Sequence, residues 1–318
     1  YIRMKKHLLC LIALFYFFIS TTYSQENTLP RVSSGTIIRH VDFPSNYISA
    51  RNVDVWLPDN YSPNQRYKVL YMHDGQMLFD ANTTWNKQEW GVDETITRLI
   101  ANDSILSTIV VGIWNSGRTR HSDYFPQKPF ERLPVSTQDS LILLGRRQNN
   151  VSLFAERVQS DNYLRFIVEE LKPFIDKTYA TLTEPEHTFI AGSSMGGLIS
   201  MYAVCEYPEV FGGAACLSTH WIGSFQTEGN PIPAQFFAYL KENLPSPDTH
   251  KFYFDFGTET LDVHYEPYQQ QVDIIMKEKG YTSTNWITRK FEGKDHSENA
   301  WRERLHIPLT FLLPIQFN

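Results

Sequence analysis

Hydrophobic and polar positions along the chain form blocks that have the lengths of strands and helices. Short apolar runs between turn residues are typical of buried strands, whereas apolar positions three and four residues apart are typical of helices. The pattern predicts eight strands, over Gly35–Val41, Asn52–Leu57, Tyr67–His73, Thr108–Ile113, His187–Gly192, Gly212–Leu217, Lys251–Phe256 and Asn285–Phe291. It predicts helices over Val92–Ala101, Asn162–Ile175, Met195–Glu206, Pro233–Glu242, Pro267–Lys279 and Glu298–Leu305.

The order of these elements predicts the fold class. Two strands come first, and strands then alternate with helices, which favours an α/β fold with a mostly parallel sheet covered on both faces. Ser160 is expected to cap the helix that opens at Asp161, because a serine side chain can accept a bond from a free N–H group of the first turn. The segment 114–160 has little periodicity, so we expect a binding loop or lid there, with a plain surface excursion as the alternative.

The first 24 residues have the layout of a secretory signal peptide. Three basic residues precede an unbroken apolar run from Leu8 to Ile19, and small polar residues follow. The run is short for a membrane span, which favours a cleaved signal over a permanent anchor. We therefore expect a secreted or periplasmic protein, with residues 25–34 as a polar entry segment and residues 35–318 as a single domain.

Composition and charge exclude some classes of protein. The 42% hydrophobic and 20% charged residues are typical of a globular chain. The formal charge is −6, from 29 Lys and Arg against 35 Asp and Glu, and removal of the signal leaves 26 against 35, or −9. We do not expect an acidic protein of this kind to bind nucleic acid or anionic membranes.

The cysteines give no sign of a metal site. Cys205 and Cys216 remain after signal removal, and neither belongs to a metal-ligand spacing. We expect two inert core thiols, with a disulfide as the alternative in an oxidising compartment. We expect no metal and no cofactor.

The motif that carries chemistry is Gly192-Ser-Ser-Met-Gly196, which matches G-x-S-x-G. It lies between a predicted strand and a predicted helix, where a tight turn pushes the middle serine, Ser194, out of the backbone. The helix N-terminus behind the turn stabilises negative charge. The pattern predicts Ser194 as a nucleophile and Ser193 as a packing or hydrogen-bonding neighbour.

A serine nucleophile needs a histidine base and a carboxylate that orients the histidine. His296 follows the last predicted strand and is the predicted base. Asp262 and Glu259 both lie in the loop after Lys251–Phe256, whereas Asp255 is still within that strand. We favour Asp262, because its greater distance from the strand end lets the chain turn toward the histidine, and Glu259 is the alternative.

The remaining site residues follow from the topology of a parallel sheet. The N–H groups of Met195, directly after the nucleophile, and of Gln76, after the third strand, are predicted to form an oxyanion hole. Because ligands bind beyond the carboxyl ends of parallel strands, five other side chains are expected to face the substrate. They are Trp114, Arg120, Tyr124, His220 and Trp221. The tryptophans suit an aromatic acyl group or a sugar ring, or else they fill the core.

Three motifs in this order resemble the putative-esterase family of α/β-hydrolases. They are His73-Asp-Gly-Gln-Met-Leu-Phe-Asp80, Gly192-Ser-Ser-Met-Gly-Gly197 and Lys294-Asp-His-Ser-Glu-Asn-Ala-Trp301. That family includes feruloyl and acetylxylan esterases, enterochelin esterases, S-formylglutathione hydrolases and the mycolyltransferase antigens. The resemblance spans nearly the whole mature chain and implies an α/β-hydrolase fold with a central sheet of about eight strands.

The resemblance also implies roles for individual residues. It makes Ser194 the nucleophile, His296 the base and Gln76 the donor of an oxyanion N–H, with the acid somewhere in Gly257–Asp262. Many relatives place the acid three residues after the glycine of this loop, where this chain has Thr260. The choice of acid therefore stays open at this point.

Together these features predict a secreted serine carboxylic-ester hydrolase that forms an acyl-enzyme, acting on carbohydrate-linked acetyl or feruloyl esters. A siderophore esterase of the enterochelin type and an acyltransferase are alternatives that would use the same site. A non-catalytic sugar- or siderophore-binding protein is the alternative from another class, and it predicts an eroded triad. The expected partners are small-molecule or polysaccharide-linked esters, and the sequence leaves the oligomeric state open.

Overall fold

The computed structural model describes residues 28–144, 154, 157–224 and 226–315. All eight predicted strands are present and form one sheet in the order β1-β2-β4-β3-β5-β6-β7-β8. Their bounds are β1 Thr36–Phe43, β2 Arg51–Leu57, β3 Lys68–His73, β4 Thr108–Ile113, β5 Thr188–Ser193, β6 Gly213–Leu217, β7 Lys251–Gly257 and β8 Trp286–Phe291. The proposed signal segment 1–24 lies outside the described residues.

The sheet is parallel over most of its width. β1 pairs with β2 and β2 with β4 in antiparallel register, whereas the other neighbouring pairs, from β4 through β3 to β8, are parallel. The carboxyl ends of β3 to β8 consequently meet at one edge, which is where ligands bind in open sheets of this kind. The predicted fold class is confirmed.

Eleven α-helices lie in the described part of the chain. They are α1 Val92–Ala101, α2 Arg120–Tyr124, α3 Gln127–Glu131, α4 Val135–Leu144, α5 Ser160–Arg165, α6 Lys172–Thr178, α7 Met195–Glu206, α8 Ile232–Asn243, α9 Glu266–Glu278, α10 Glu298–Arg304 and α11 His306–Leu312. None of the helices in these ranges is long and apolar enough to cross a membrane. The helices α2, α3, α4 and α11 were not predicted, because α2, α3 and α11 are at most seven residues long and α4 has no distinct apolar face.

The predicted helix Asn162–Ile175 is longer and less regular than expected. Helices α5 and α6 are joined by a π-helical segment, Phe166–Leu171. Pro173 lies two residues after this segment and lacks an N–H, so the carbonyl of Glu169 has no i+4 donor. A local change in helical pitch at this point is the expected response.

The hydrophobic core has two layers, one on each face of the sheet. Apolar residues of α1, α10 and α11 pack on one face together with β-strand residues such as Leu70 and Tyr253. Apolar residues of α5, α7, α8 and α9 pack on the other face, against residues such as Tyr71 and Phe254. Alternate residues of a strand point to opposite faces, so both faces of the central strands are buried.

Two smaller predictions have opposite outcomes. Cys205 and Cys216 are buried and free, as expected of core thiols, and burial raises the pKa of both. The prediction that Ser160 caps the helix is wrong. The helix begins at Ser160 itself after Gln159, and the Ser160 hydroxyl oxygen accepts a hydrogen bond from the N–H of Gln127 at 3.0 Å. This contact joins α3 to α5, and no local sequence signal indicates it.

Candidate active site

The turn between β5 and α7 presents one of the two adjacent serines to solvent. Ser193 ends β5 and is buried, whereas Ser194 stands between strand and helix with φ 58° and ψ −120°. This backbone conformation is strained for a residue with a side chain. The Ser194 N–H donates to the Leu217 carbonyl at 2.9 Å, and the Ser194 carbonyl accepts from the His220 N–H at 3.2 Å. The neighbouring strand β6 and the loop after it therefore hold the turn in place.

A glycine makes this turn possible. A Cβ atom built on Gly192 would lie 2.8 Å from the carbonyl carbon of Gly196, which is backbone and cannot move aside. The strand and the first turn of α7 can approach each other this closely because position 192 has no side chain.

The two residues predicted to supply oxyanion N–H groups lie in the first turns of two helical segments. Met195 is the first residue of α7, and Gln76 lies in a short 3₁₀ helix, Gly75–Met77, directly after β3. Both residues line the same cleft as Ser194. In the part of the chain that the structure describes, neither N–H donates to a protein acceptor.

The loops after β7 and β8 bring a carboxylate to a histidine. Asp262 lies in the 3₁₀ helix Thr260–His264 after β7, and His296 lies between β8 and α10. The Nδ1 atom of His296 is 2.5 Å from Oδ1 of Asp262. Glu259, the alternative acid, is exposed, and Thr260 accepts a hydrogen bond from the His296 N–H through Oγ1 at 2.9 Å. The structure thus brings Asp262, and not Glu259, to the histidine.

The Asp262 carboxylate is buried and fully partnered. Its Oδ2 atom accepts hydrogen bonds from the Ser218 hydroxyl and the Gly257 N–H, both at 2.6 Å. Burial by itself would raise the pKa of Asp262, but hydrogen bonds from His296, Ser218 and Gly257 outweigh it and hold the pKa below its ordinary value. The carboxylate is therefore ionised at neutral pH and can orient the imidazole.

A second buried layer supports this carboxylate. Ser218 Oγ accepts hydrogen bonds from Trp301 Nε1 and Arg304 Nη2, both at 2.9 Å. Arg304 forms an ion pair with Asp255, with Nη2 and Oδ1 2.9 Å apart. Burial raises the pKa of Asp255 in spite of this cation. Asp255, the carboxylate that lies within the strand, thus binds an arginine of α10 and does not contact the histidine.

The site lies in a cleft of about 1050 Å³ at the carboxyl edge of the sheet. Of the residues predicted to face a substrate, Trp114, Arg120 and His220 line this cleft together with Ser194 and His296. Arg120 is paired with Asp74 through two hydrogen bonds of 2.7 Å. Among the described side chains, no group of three or more His, Cys, Asp or Glu is placed to hold a metal ion.

Two of the predicted substrate contacts are wrong. Tyr124 is fully buried, and its hydroxyl accepts a hydrogen bond from the Asp74 N–H at 3.3 Å. Trp221 is also fully buried, and its Nε1 donates to Gln269 Oε1 of α9 at 2.9 Å. Neither residue lines the cleft. Both residues follow strand ends along the chain, as the prediction required. Each side chain is nevertheless buried and has its hydrogen-bond partner inside the protein.

One wall of the cleft was not predicted from the sequence. It is formed by Trp85, Asn86, Gln88 and Glu298, and we call these four residues the histidine-side wall. The name reflects its attachment to the segment after His296: Asn86 Nδ2 donates to Glu298 Oε2 at 2.8 Å. The sequence signal for this wall is Trp85, which lies in a polar stretch shortly after the motif His73–Asp80.

Two histidines beside the cleft are held in the neutral form. Burial lowers the pKa of His73 to about 3, and burial together with the nearby His296 lowers the pKa of His220 to about 3. His73 Nδ1 lies 2.8 Å from the Tyr163 hydroxyl, and its Nε2 has no hydrogen-bond partner among the described residues. Neither histidine is able to carry a charge at neutral pH.

The chain is similar to several known proteins. The family model described as Putative esterase matches residues 46–310. The uncharacterized protein YbbA of Bacillus subtilis (strain 168) is 31% identical over 239 residues, which are 73% of this chain and 80% of YbbA. A ferulic acid esterase has a TM-score of 0.60 at 17% identity, covering 89% of this chain and 99% of its own. The enterobactin esterase FES from Shigella flexneri has a TM-score of 0.62 at 15% identity, covering 89% and 60%.

The structural likeness shows that the chain has the α/β-hydrolase fold. In this fold the nucleophile stands on a turn between strand and helix, and the acid and the histidine follow later strands. Ser194, Asp262 and His296 occur in that chain order here.

His73 should make stability depend on pH. In the unfolded chain it binds a proton near pH 6.5, whereas in the folded protein it does so near pH 3, so acidification between these values favours unfolding. This residue alone should remove about 2 kcal/mol of unfolding free energy between pH 7 and pH 5. We expect the difference in unfolding free energy between pH 7 and pH 5, measured by urea unfolding, to be smaller by that amount in His73→Asn than in the wild type.

The exposed His306 provides the matched control. The variant His306→Gln should retain the pH dependence of the wild type. If His73→Asn lowers stability equally at both pH values, His73 is not held neutral in the folded protein.

Proposed function

Because the chain belongs to the Putative esterase family and is an ester hydrolase, we propose that it cleaves carboxylic esters through a serine acyl-enzyme, with Ser194, His296 and Asp262 as the triad. The observation that carries this proposal is the 2.5 Å contact between His296 Nδ1 and Asp262 Oδ1, in the cleft that Ser194 lines. A carboxylate on Nδ1 leaves Nε2 of the neutral imidazole as the base. The binding-protein alternative expects an eroded triad, whereas all three members are present.

In the proposed reaction Ser194 Oγ attacks the carbonyl carbon of the ester while His296 Nε2 takes the hydroxyl proton. The carbonyl oxygen becomes an oxyanion, and the free N–H groups of Met195 and Gln76 stabilise it. The intermediate collapses as the bond to the alcohol oxygen breaks, and His296 delivers the proton to that oxygen. Water then attacks the acyl-enzyme by the same steps and regenerates Ser194.

Burial of the acid is what makes this histidine an effective base. Asp262 is nearly inaccessible to water, so its negative charge acts on the imidazolium at short range through a medium of low polarity. The hydrogen bonds from Ser218 and Gly257 occupy the second carboxylate oxygen and leave Oδ1 for His296. The histidine is thereby held in one orientation and one tautomer.

For the substrate we propose carbohydrate-linked acetyl or feruloyl esters. The likeness to a ferulic acid esterase supports this choice, as does a cleft whose volume of about 1050 Å³ accommodates more than a simple acyl group. Trp114 at one side of the cleft is buried apart from a small exposed surface, and its Nε1 donates to Asp54 at 2.8 Å. An aromatic surface held in this way suits a flat acyl group.

We also propose that residues 1–24 direct export and are then removed. The support is the sequence of basic, apolar and small residues in this segment. When the full chain is expressed in a bacterium, the exported protein should begin close to Gln25, as read by N-terminal sequencing. A protein that keeps the apolar run Leu8–Ile19 and stays in the membrane fraction contradicts this proposal.

The variant Ser194→Ala should lower kcat/KM for p-nitrophenyl acetate at least about 1,000-fold, because alanine has no oxygen that can attack the ester. A fluorophosphonate probe should label Ser194, as located by peptide mass spectrometry. The adjacent Ser193→Ala is the matched control and should still be labelled. Undiminished turnover in Ser194→Ala, or labelling at Ser193, rules out the proposed nucleophile.

The variant Asp262→Asn should lower kcat by about 1,000-fold to 10,000-fold, because an amide can hold the imidazole in the wrong tautomer and carries no compensating charge. Glu259→Gln makes the same change from carboxylate to amide in the same loop, and it should stay within about twofold of the wild type, since Glu259 is exposed. Steady-state kinetics on the same ester test both variants, and circular dichroism checks their folding. Comparable losses in the two variants contradict the assignment of Asp262.

A further inference from the structure

Trp85 is exposed in a manner that the fold does not require. Its side chain is 83% exposed, whereas most large aromatic side chains in the described residues are buried. Of the large apolar side chains that are exposed in those residues, Trp85 alone is aromatic and alone lines the cleft. An exposed indole contributes little to folding, because it buries little apolar surface. Its position at the cleft instead suits contact with a ligand.

The loop that carries Trp85 is braced by its own polar groups. Asp80 Oδ1 accepts hydrogen bonds from the N–H and side-chain amide of Asn82, at 2.9 and 3.0 Å. The Thr83 hydroxyl donates to the Asp80 carbonyl at 2.9 Å, and Lys87 Nζ donates to the Asn82 carbonyl at 2.8 Å. Because the loop is already ordered, its backbone should lose little conformational entropy when a ligand binds.

The groups beside Trp85 indicate the class of ligand. Asn86, Gln88 and Glu298 of the histidine-side wall supply amide and carboxylate groups, which match the hydroxyl groups of a sugar. Nearby carboxylate charge disfavours an anionic ring such as a catecholate. The arginines of the cleft do not alter this balance, because Arg51 is paired with Asp123 and Arg120 with Asp74.

The position of the wall indicates which part of an ester it meets. Glu298 lies two residues after His296, and the N–H of Asn299 donates to Gln88 Oε1 at 3.3 Å. In the proposed mechanism His296 delivers a proton to the departing alcohol oxygen, so the alcohol part of the substrate lies on the side of the histidine. The histidine-side wall therefore faces the alcohol and not the acyl group.

We propose that Trp85 is a stacking platform for a pyranose ring that forms the alcohol part of the ester, with Asn86, Gln88 and Glu298 bonding its hydroxyl groups. This inference rests on the proposed function, because the position of the alcohol follows from the role of His296. It assigns the wall a specificity role: Trp85 selects esters of sugars over esters of small alcohols that carry the same acyl group. The C–H face of a pyranose packs on an indole ring as other apolar surfaces do.

The test compares two esters that share the feruloyl group, a xylo-oligosaccharide feruloylated on a hydroxyl of a xylopyranose unit and methyl ferulate. In Trp85→Ala, kcat/KM for the sugar ester should fall about tenfold, the size expected for the loss of one stacking contact, and kcat/KM for methyl ferulate should change less than twofold. Trp85→Phe should recover most of the loss. Ile274 is an exposed apolar residue of α9 outside the cleft. The variant Ile274→Ala is therefore the matched control and should change neither kcat/KM value.

Binding without turnover provides an independent measurement. The Ser194→Ala protein should bind at least one of xylotetraose, cellotetraose and mannotetraose by calorimetry, and addition of Trp85→Ala should weaken that binding about tenfold. Because Trp85 is exposed, its removal should leave the melting temperature nearly unchanged, so a loss of binding is not a loss of folding.

The outcomes separate this inference from the proposed function. Equal effects of Trp85→Ala on both esters, or no binding of any of the three oligosaccharides, overturns the role of Trp85 even if Ser194→Ala is inactive on methyl ferulate. Full turnover of methyl ferulate by Ser194→Ala overturns the triad, whereas the calorimetric result for Trp85 would still stand as evidence of a sugar site.

Discussion

The active-site end of the molecule depends on one buried carboxylate, Asp262. A charge removed from water is stable only when protein groups replace the lost hydration, and here both oxygens are occupied. Oδ1 contacts His296, while Oδ2 accepts hydrogen bonds from Ser218 and Gly257. These partners come from the ends of β6 and β7 and from the loop after β8, so a single group fixes three neighbouring segments. The positive φ angles of Ser218 and Thr260, 42° and 53°, show backbone conformations held by this network.

Hydrogen bonds to Ser218 and Asp255 connect the surroundings of the carboxylate to α10. Arg304 bonds both Asp255 in β7 and Ser218 after β6, and Trp301 bonds Ser218 from one turn earlier in the helix. Buried networks of this kind rigidify a site. In this network Arg304 Nη1 has no hydrogen-bond partner among the described residues. Because α10 begins two residues after His296, fixing the helix also fixes the histidine. The same helix carries Glu298, so the proposed catalytic and recognition elements on this side of the cleft share one support.

The sequence predicted the architecture better than the surface of the site. All eight strands and the principal helices were predicted, because a buried parallel sheet needs long apolar strands and its helices need one apolar face. Ser194, His296 and Asp262 lie close together because strand ends and helix starts bring them to one edge. The errors were of a different kind. Ser160, Tyr124 and Trp221 lie at the expected positions along the chain, but their side chains have partners from distant segments.

The sequence by itself determined which residues follow the strand ends, since the end of a strand and the chemistry of the turn after it are local properties. Only the tertiary structure decided which of those residues meet. Asp262 and Glu259 are three residues apart in one loop, and the sequence favours Asp262 only through its greater distance from the strand end. The distinction comes from Ser218 and Gly257, which can satisfy a buried carboxylate at one position and not at the other. Contacts between segments distant in the chain are set by packing of the whole sheet, and a local pattern does not encode them.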